Sequence, residues 1–316
     1  MNYRSVLTFL FKLLFAFFLL NWLISQNKLD TKLVLLTFNN PLQLIFCLTL
    51  LLFDVFLSAL RWNILLKTKK ILIPFRDVLK IQWIGQFFSI VLPGGVTGDL
   101  IKIGYISSIQ KSYSKKTLLL SIFIDRLAGL YSLLVIAGVS SYIFYDNLIT
   151  YNPLLKSVIF INAALLILSS FALIFFFLNL KHQLKIKSVF KSKKMDTLLD
   201  SIWDYNLHKK EMFYCLLMSP LIHFLVIGAF WVINLPFFEK PLELKQLLSV
   251  IPLGQLVTAL PISPAGLGVG HLAFERLFHF IGHSNGASLF NVFWILVFLV
   301  DLLGIIPFIF LNKRNN

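Results

Sequence analysis

Pro93-Gly94-Gly95-Val96-Thr97-Gly98-Asp99-Leu100-Ile101-Lys102 is the stretch that decides how this chain folds. An apolar run, Val78 to Leu92, leads into it and is too short to cross a bilayer comfortably. One proline and three glycines then break the helix at or near membrane depth, and an acid and a base one turn apart follow at once. Backbone groups freed by such a break are tolerated only where they are buried in protein or line a wet cavity. The break is therefore either a packing device or part of a pathway. The chain carries the device twice. Gly85-Gln86, an apolar run and Pro93 form one copy; Gly254-Gln255, an apolar run, Pro261 and then Pro264-Ala265-Gly266-Leu267-Gly268-Val269-Gly270 form the other. Paired Gly/Pro interruptions in corresponding places of two halves point to a transporter-type site.

The bulk numbers set the solvent. The chain has 316 residues, 58% of them hydrophobic, with 33 Phe and a mean hydropathy of +0.83. No soluble domain of this length is so apolar. The expected fold is an all-α polytopic membrane protein, one transmembrane domain over 1–316, with about six spanning helices and two re-entrant, broken helices. The net charge of +15 does not point to nucleic acid, because Lys and Arg sit in short loops between apolar spans, the positive-inside pattern. Such loops also meet anionic lipid head groups. Cys47 and Cys215 fall inside expected spans and give neither a disulfide framework nor a metal spacing.

The expected spans are Val6 to Ile24, Leu42 to Leu60, Leu118 to Phe144, Val158 to Leu180, Phe213 to Leu235 and Ala287 to Leu311. No small-residue cleavage site follows the first, so it reads as an uncleaved anchor. Arg61, Lys67, Lys69, Lys70, Arg76 and Lys80 place the end of the second inside the cell, and the eight Lys of the 181–210 segment mark the largest cytoplasmic loop. Met195 to Leu207 reads as a surface helix. The dips are Val78 to Gly98, entered from the basic side, and Leu247 to Gly270, entered from the other, with Leu272 to Ile281 as the helix leaving it. Both termini are then cytoplasmic, in the cell inner membrane. Halves of about 1–150 and 151–316 have the same element order and opposite orientation, an inverted repeat.

Three motifs resemble the lysylphosphatidylglycerol synthase transmembrane-region family, also described as flippase-like: Pro93-Gly94-Gly95 with Gly98-Asp99 and Lys102, then Asp125-Arg126-Leu127-Ala128-Gly129-Leu130, then Pro261-Ile262-Ser263-Pro264-Ala265-Gly266-Leu267-Gly268-Val269. The resemblance covers nearly the whole chain. It implies a membrane domain that moves a lipid between leaflets, as the membrane half of enzymes that add lysine to phosphatidylglycerol, or as a stand-alone protein linked to isoprenoid-lipid pathways. The sequence departs from that pattern twice. Lys102 stands where the family usually has Arg, which exchanges a bidentate phosphate fork for a point charge. His271 stands near where an acid is common, with Glu275 one turn later. No soluble catalytic domain follows the last span, so lysine transfer is not expected.

Pro93, Gly94, Gly95 and Gly98 let backbone N–H groups converge before a helix N-terminus, an arrangement that suits a lipid phosphate; the plainer reading is a tight turn capped by Asp99. Asp99 is expected to orient Lys102 or to pair with an Arg. With Arg126 and the second turn (Pro261, Pro264, Gly266, Gly268, His271, Glu275), these residues form the candidate substrate site. Asp54, Arg61, Asp125 and Asp301 are the candidates for ion pairing or coupling, because charges at membrane depth face the interior and have partners. Depth along the helices allows an Asp54–Arg126 pair, and Asp301 has no obvious partner. His271, Glu275, His279 and His283 recur every fourth residue and read as a wet polar stripe rather than a metal site. No metal and no cofactor is expected, and no nucleophile elbow, Walker loop or dinucleotide fingerprint is present. The partner is a membrane lipid with an anionic head group. A membrane-embedded transferase or its subunit, and an ion or small-solute transporter, are the alternatives.

Overall fold

The computed structural model describes residues 31–91, 96–110, 112–151, 153–179, 200–237, 241–260 and 266–312. Every regular element among them is helical: α1 (Thr31–Phe38), α2 (Pro41–Thr68), α3 (Phe75–Val91), α4 (Thr97–Ile109), α5 (Lys115–Ile143), α6 (Tyr145–Tyr151), α7 (Leu155–Phe177), α8 (Lys209–Phe237), α9 (Leu244–Thr258), α10 (Val269–Phe280), α11 (Gly286–Leu302) and α12 (Ile305–Asn312). The expected first span, Val6 to Ile24, lies outside the described residues. So do Pro93, Gly94, Gly95, Pro261, Pro264 and the 181–199 part of the basic loop.

Among the described residues, five helical stretches are long and apolar enough to span: Pro41–Thr68, Lys115–Ile143, Leu155–Phe177, Asp200–Leu235 and Gly286–Phe310. They coincide with the second to sixth expected spans, with different ends. α2 starts on Pro41, where a proline costs no hydrogen bond, and continues eight residues past Leu60. It continues because Arg61, Trp62 and Asn63 are buried in protein. Arg61 is therefore not a loop base. The fifth span begins at Asp200, where the surface helix was expected, and runs through a 3₁₀ turn, Asp204–His208, into α8. The sixth is interrupted at Leu303–Gly304, between α11 and α12.

α2 and α8 pair at the centre of the bundle, and α5 and α11 pack on both. α7 is apolar all round, touches mainly α5, and lies at the lipid edge. Each dip is a pair of short helices packed on one another, α3 with α4 and α9 with α10. At about 1.5 Å per residue they run roughly 18–26 Å, less than the roughly 30 Å hydrocarbon core. α3 and α4 touch closely because neither Gly85 nor Gly98 has a side chain. A Cβ on Gly98 would collide with the Gly85 carbonyl and with Ser89 Oγ. In the second hairpin, Gly266 and Gly268 have φ of 74° and 76°.

Among the described residues the hairpins rest mainly on other helices. The first rests α3 on α11 and α4 on α5; the second rests α9 on α5 and α10 on α11. α5 and α11 thus carry both.

Candidate functional site

The first hairpin returns Gly98 and Asp99 beside Arg126, eleven residues into α5. That is about 16 Å along α5 from the helix start. There Asp99 bonds two cations. Its Oδ1 is 2.9 Å from Lys102 Nζ, one turn along α4. Its Oδ2 accepts from Arg126 Nε at 2.7 Å and lies 2.5 Å from Nη2. Lys102 Nζ also donates to Gln82 Oε1 at 3.1 Å and stands 4.7 Å over the Trp62 ring. Trp62 is fixed in turn by donating from Nε1 to Ser121 Oγ at 3.2 Å.

Exposure divides the three charges. The Asp99 and Lys102 side chains are 7% and 9% exposed, and that of Arg126 is 52% exposed. Two cations and one anion sum to +1, and the Arg126 side chain is the most exposed of the three. The pairing of Arg126 with Asp99 replaces the expected Asp54–Arg126 pair. Arg61, not Asp54, lies level with this part of α5, since it meets Asp125, and Asp54 stands seven residues away along α2; α4 brings Asp99 to Arg126 instead.

One residue earlier on α5, Asp125 makes a neutral pair. Arg61 donates from Nε to Oδ1 at 2.7 Å and from Nη2 to Oδ2 at 3.1 Å, and from Nη1 to Ser219 Oγ at 2.8 Å. This two-pronged contact ties α2, α5 and α8 together. His223 on α8 adds a bond between Nε2 and the Gly129 carbonyl at 2.9 Å.

The second hairpin is built differently. His271 is fully buried; its Nδ1 accepts from the Gly268 N–H at 3.3 Å and its Nε2 lies 3.2 Å from Asn291 Oδ1. Glu275, 7% exposed, accepts from the Ala287 N–H at 3.1 Å and satisfies one of the first amides of α11. The expected wet stripe is therefore half dry: His271 and Glu275 face protein, because α11 covers that side of α10. Both bond to neighbouring backbone and α11, not to Asp99, Lys102 or Arg126. Asp54 and Asp301 lie on α2 and α11, which pack on one another.

Sequence reasoning passed over Gln82, Gln86, Ser89 and Gln255. The first three lie at i, i+4 and i+7 of an apolar run, one helix face, which was a usable signal. Gln86 and Gln255 occupy the same place in the two repeated motifs. The Oε1 of each is buried without a hydrogen-bond partner.

The profile of the lysylphosphatidylglycerol synthase TM region matches residues 9–308. The chain belongs to this family. No curated protein and no solved structure matches it. Family membership covers both hairpins and all five described spans, so the Asp99–Lys102–Arg126 cluster lies inside the shared domain.

Proposed function

We propose that this protein carries a phosphate-bearing lipid between leaflets, and that Lys102 and Arg126, ordered by Asp99, receive the head group. The observation that carries this reading is the cluster itself: a sum of +1 at a membrane-spanning helix, with a half-exposed Arg126 side chain. Charges within a membrane are expensive and persist where they serve a pathway. An anionic head group would neutralise the cluster, and Arg offers two parallel donors to phosphate oxygens. The buried carbonyl oxygens of Gln86 and of Gln255, the latter beside His223, support a polar lining at each hairpin, since such groups cost free energy unless something donates to them.

Packing supports the inverted arrangement of halves. Exchange α2 with α8, α3 with α9, α4 with α10 and α5 with α11. The contacts α3–α11 and α4–α5 become α9–α5 and α10–α11, and both sets are present; so are α2–α5 with α8–α11 and α2–α3 with α8–α9. Alternating access by rocking of repeats follows naturally from such a frame. Membership of a family named for a lipid-modifying enzyme agrees with a lipid as cargo. An embedded transferase would need a free general base, whereas Asp99 and Asp125 are both held by cations.

The test is lipid movement in vesicles reconstituted with the full chain and a labelled anionic phospholipid. Lys102→Ala and Arg126→Ala should each slow transbilayer movement by about tenfold or more, equivalent to about 1.4 kcal/mol. Arg126→Lys should fall between, because it keeps charge and loses the fork. Unchanged lipid distribution in both alanine variants would show that the cluster does not handle phosphate.

A further inference from the structure

Gly104 is a glycine that the packing of the described helices does not explain. Gly85 and Gly98 admit the close approach of α3 and α4, and Gly304 admits the start of α12, where a Cβ would collide with the Trp83 carbonyl. Gly104 lies inside α4 without the positive φ of Gly266 and Gly268. Among the described residues nothing stands within 4 Å of the place its Cβ would take. A glycine inside a helix is destabilising relative to alanine. Its presence there fits something that comes close to the backbone from outside the described helices.

Gly104 opens on a groove of about 460 Å³. Leu100, Tyr105 and Ser108 of α4 line it with Phe88 of α3 and Phe308 of α12. α4 and α12 both pack on α3, and the wall that α12 forms is held in place. Phe88 and Phe308 meet edge to face with ring centroids 5.0 Å apart. Trp83 donates from Nε1 to the Val300 carbonyl at 2.9 Å, just before the break that starts α12. The volume falls in the ordinary range of small-ligand sites. From Leu100 to Ser108 the groove follows α4 for about 12 Å.

The groove is apolar at one end, with Leu100, Phe88 and Phe308, and Ser108 stands in the last turn of α4. The Gln82–Lys102 and Gly85–Gly98 contacts make α3 and α4 antiparallel. The last turn of α4 therefore lies at the same end as the first turn of α3, and α5 starts soon after it. Exposed Arg76, Lys115 and Lys116 stand at these helix ends, with Lys80 beside its partner Asp77. A groove that is apolar inside the hairpin and bordered by bases at its ends has the polarity of an anionic lipid, chain inward and head group at the bases.

We propose that the groove between α4 and α12 seats one hydrocarbon chain of an anionic lipid whose head group rests among Arg76, Lys115 and Lys116. Gly104 is where the chain lies directly on backbone. The seat is separate from the Asp99–Lys102–Arg126 cluster, although Leu100, which lines it, follows Asp99 in α4. That the seated lipid is cargo waiting for the cluster rests on the lipid-carrier reading above; the seat itself does not.

Photolabelling tests it on the full chain in phosphatidylcholine nanodiscs that contain phosphatidylglycerol with a photoactivatable group in one acyl chain. Label should concentrate on Leu100, Gly104 and Phe308 rather than on exposed Phe171 of α7. A phosphatidylcholine probe with the same chain should label the groove less. Gly104→Phe, which fills the groove, should lose most of this label. Replacing Arg76, Lys115 and Lys116 together by Gln should remove the preference for phosphatidylglycerol. Gly104→Ala should raise the melting temperature, since its methyl meets nothing among the described residues; a lowered one would mean that protein fills the groove, and overturns the proposal. Label no denser in the groove than at Phe171, or equal label from the two probes, overturns it as well. So does a cross-link from Gly104→Cys to a second copy or to the 1–30 segment. If the label behaves as expected and the protein moves no lipid, the carrier reading fails and the seat stands. If lipid moves and depends on Arg126 while the groove takes no label, the seat fails and the carrier reading stands.

Discussion

The two hairpins use one device for different ends. Each pairs two helices too short to span, and each rests one arm on α5 and the other on α11. The first gathers Asp99 and Lys102 of α4 against Arg126 of α5. The second gathers neutral or backbone-capping groups, with Phe274 stacked between Phe230 and Phe290 at 5.1 and 4.7 Å. Every polar side chain of α10 that reaches α11 holds backbone or Asn291 in place. Within a membrane, charge costs more than amides and aromatic stacking. The charged hairpin is thus the one read here as handling cargo, and the stacked one as its support.

The largest expected effect breaks that comparison if it fails. Asp99→Asn leaves Lys102, 9% exposed, and Arg126 side by side without a counter-charge. Losing one partner of a buried ion pair costs about 3–5 kcal/mol, and the open side of Arg126 puts this case at the lower end. Glu275→Gln keeps an oxygen for the Ala287 N–H and should cost about 1 kcal/mol. Thermal unfolding in detergent reads both; an equal loss for the two variants would mean the hairpins do not differ in electrostatic demand.

A smaller effect sharpens the packing side. Alanine at Gly98 pushes a Cβ into the backbone carbonyl of Gly85, which no rotamer change relieves. Overpacking of this kind costs about 1–3 kcal/mol. Alanine at Gly254 meets ring atoms of Phe274 at 2.6 Å, and a ring can tilt. Gly98→Ala should lower the melting temperature more than Gly254→Ala. The reverse order would make the second hairpin the tighter one.

Much of this was legible from residue order, and the failures share a cause. Hydropathy fixed the five described spans, because lipid rewards long apolar helices whatever packs beside them. The glycine motifs located both hairpins, because a missing Cβ lets backbone approach backbone at Gly85 and Gly98 in the first and lets the Phe274 ring approach Gly254 in the second. What hydropathy does not carry is azimuth. Arg61 was used as a basic flank and also named with Asp125 among the ion-pair candidates, but the two were not matched to each other, and they pair. Asp54 was matched to Arg126 by depth, but Arg61 of the same helix meets Asp125, which leaves Asp54 seven residues away along α2. The polar stripe on α10 was read as wet, and His271 and Glu275 lie under α11. Which residues of two helices meet is set by their mutual packing, and one sequence does not state that. Gln86 and Gln255 were visible as repeat punctuation, but their orphaned oxygens appear only once the helices around them are placed.

The smallest effect concerns the turn between α10 and α11, and it separates the hairpins by pH. Gln246 on α9 accepts from the Glu243 N–H at 2.9 Å, which turns its Nε2 toward His283 Nε2 at 3.3 Å. An amide donor facing that nitrogen requires the imidazole to be unprotonated there. Partial burial agrees, holding the His283 pKa below the ordinary histidine value. The unfolded chain therefore binds the proton more readily than the folded one. The stabilisation is complete above the ordinary histidine value and is lost as pH falls from there through the lowered folded value. His283 is partly open to solvent, so the change should stay below about 1 kcal/mol. Hydrogen exchange of α9 and α10 should quicken on mild acidification, and His283→Gln should flatten that response. α3 and α4 contain no histidine and should keep their exchange rates over the same range. An equal acid response in both hairpins would show that the loosening is global, and would remove pH as a means of telling the supporting hairpin from the charged one.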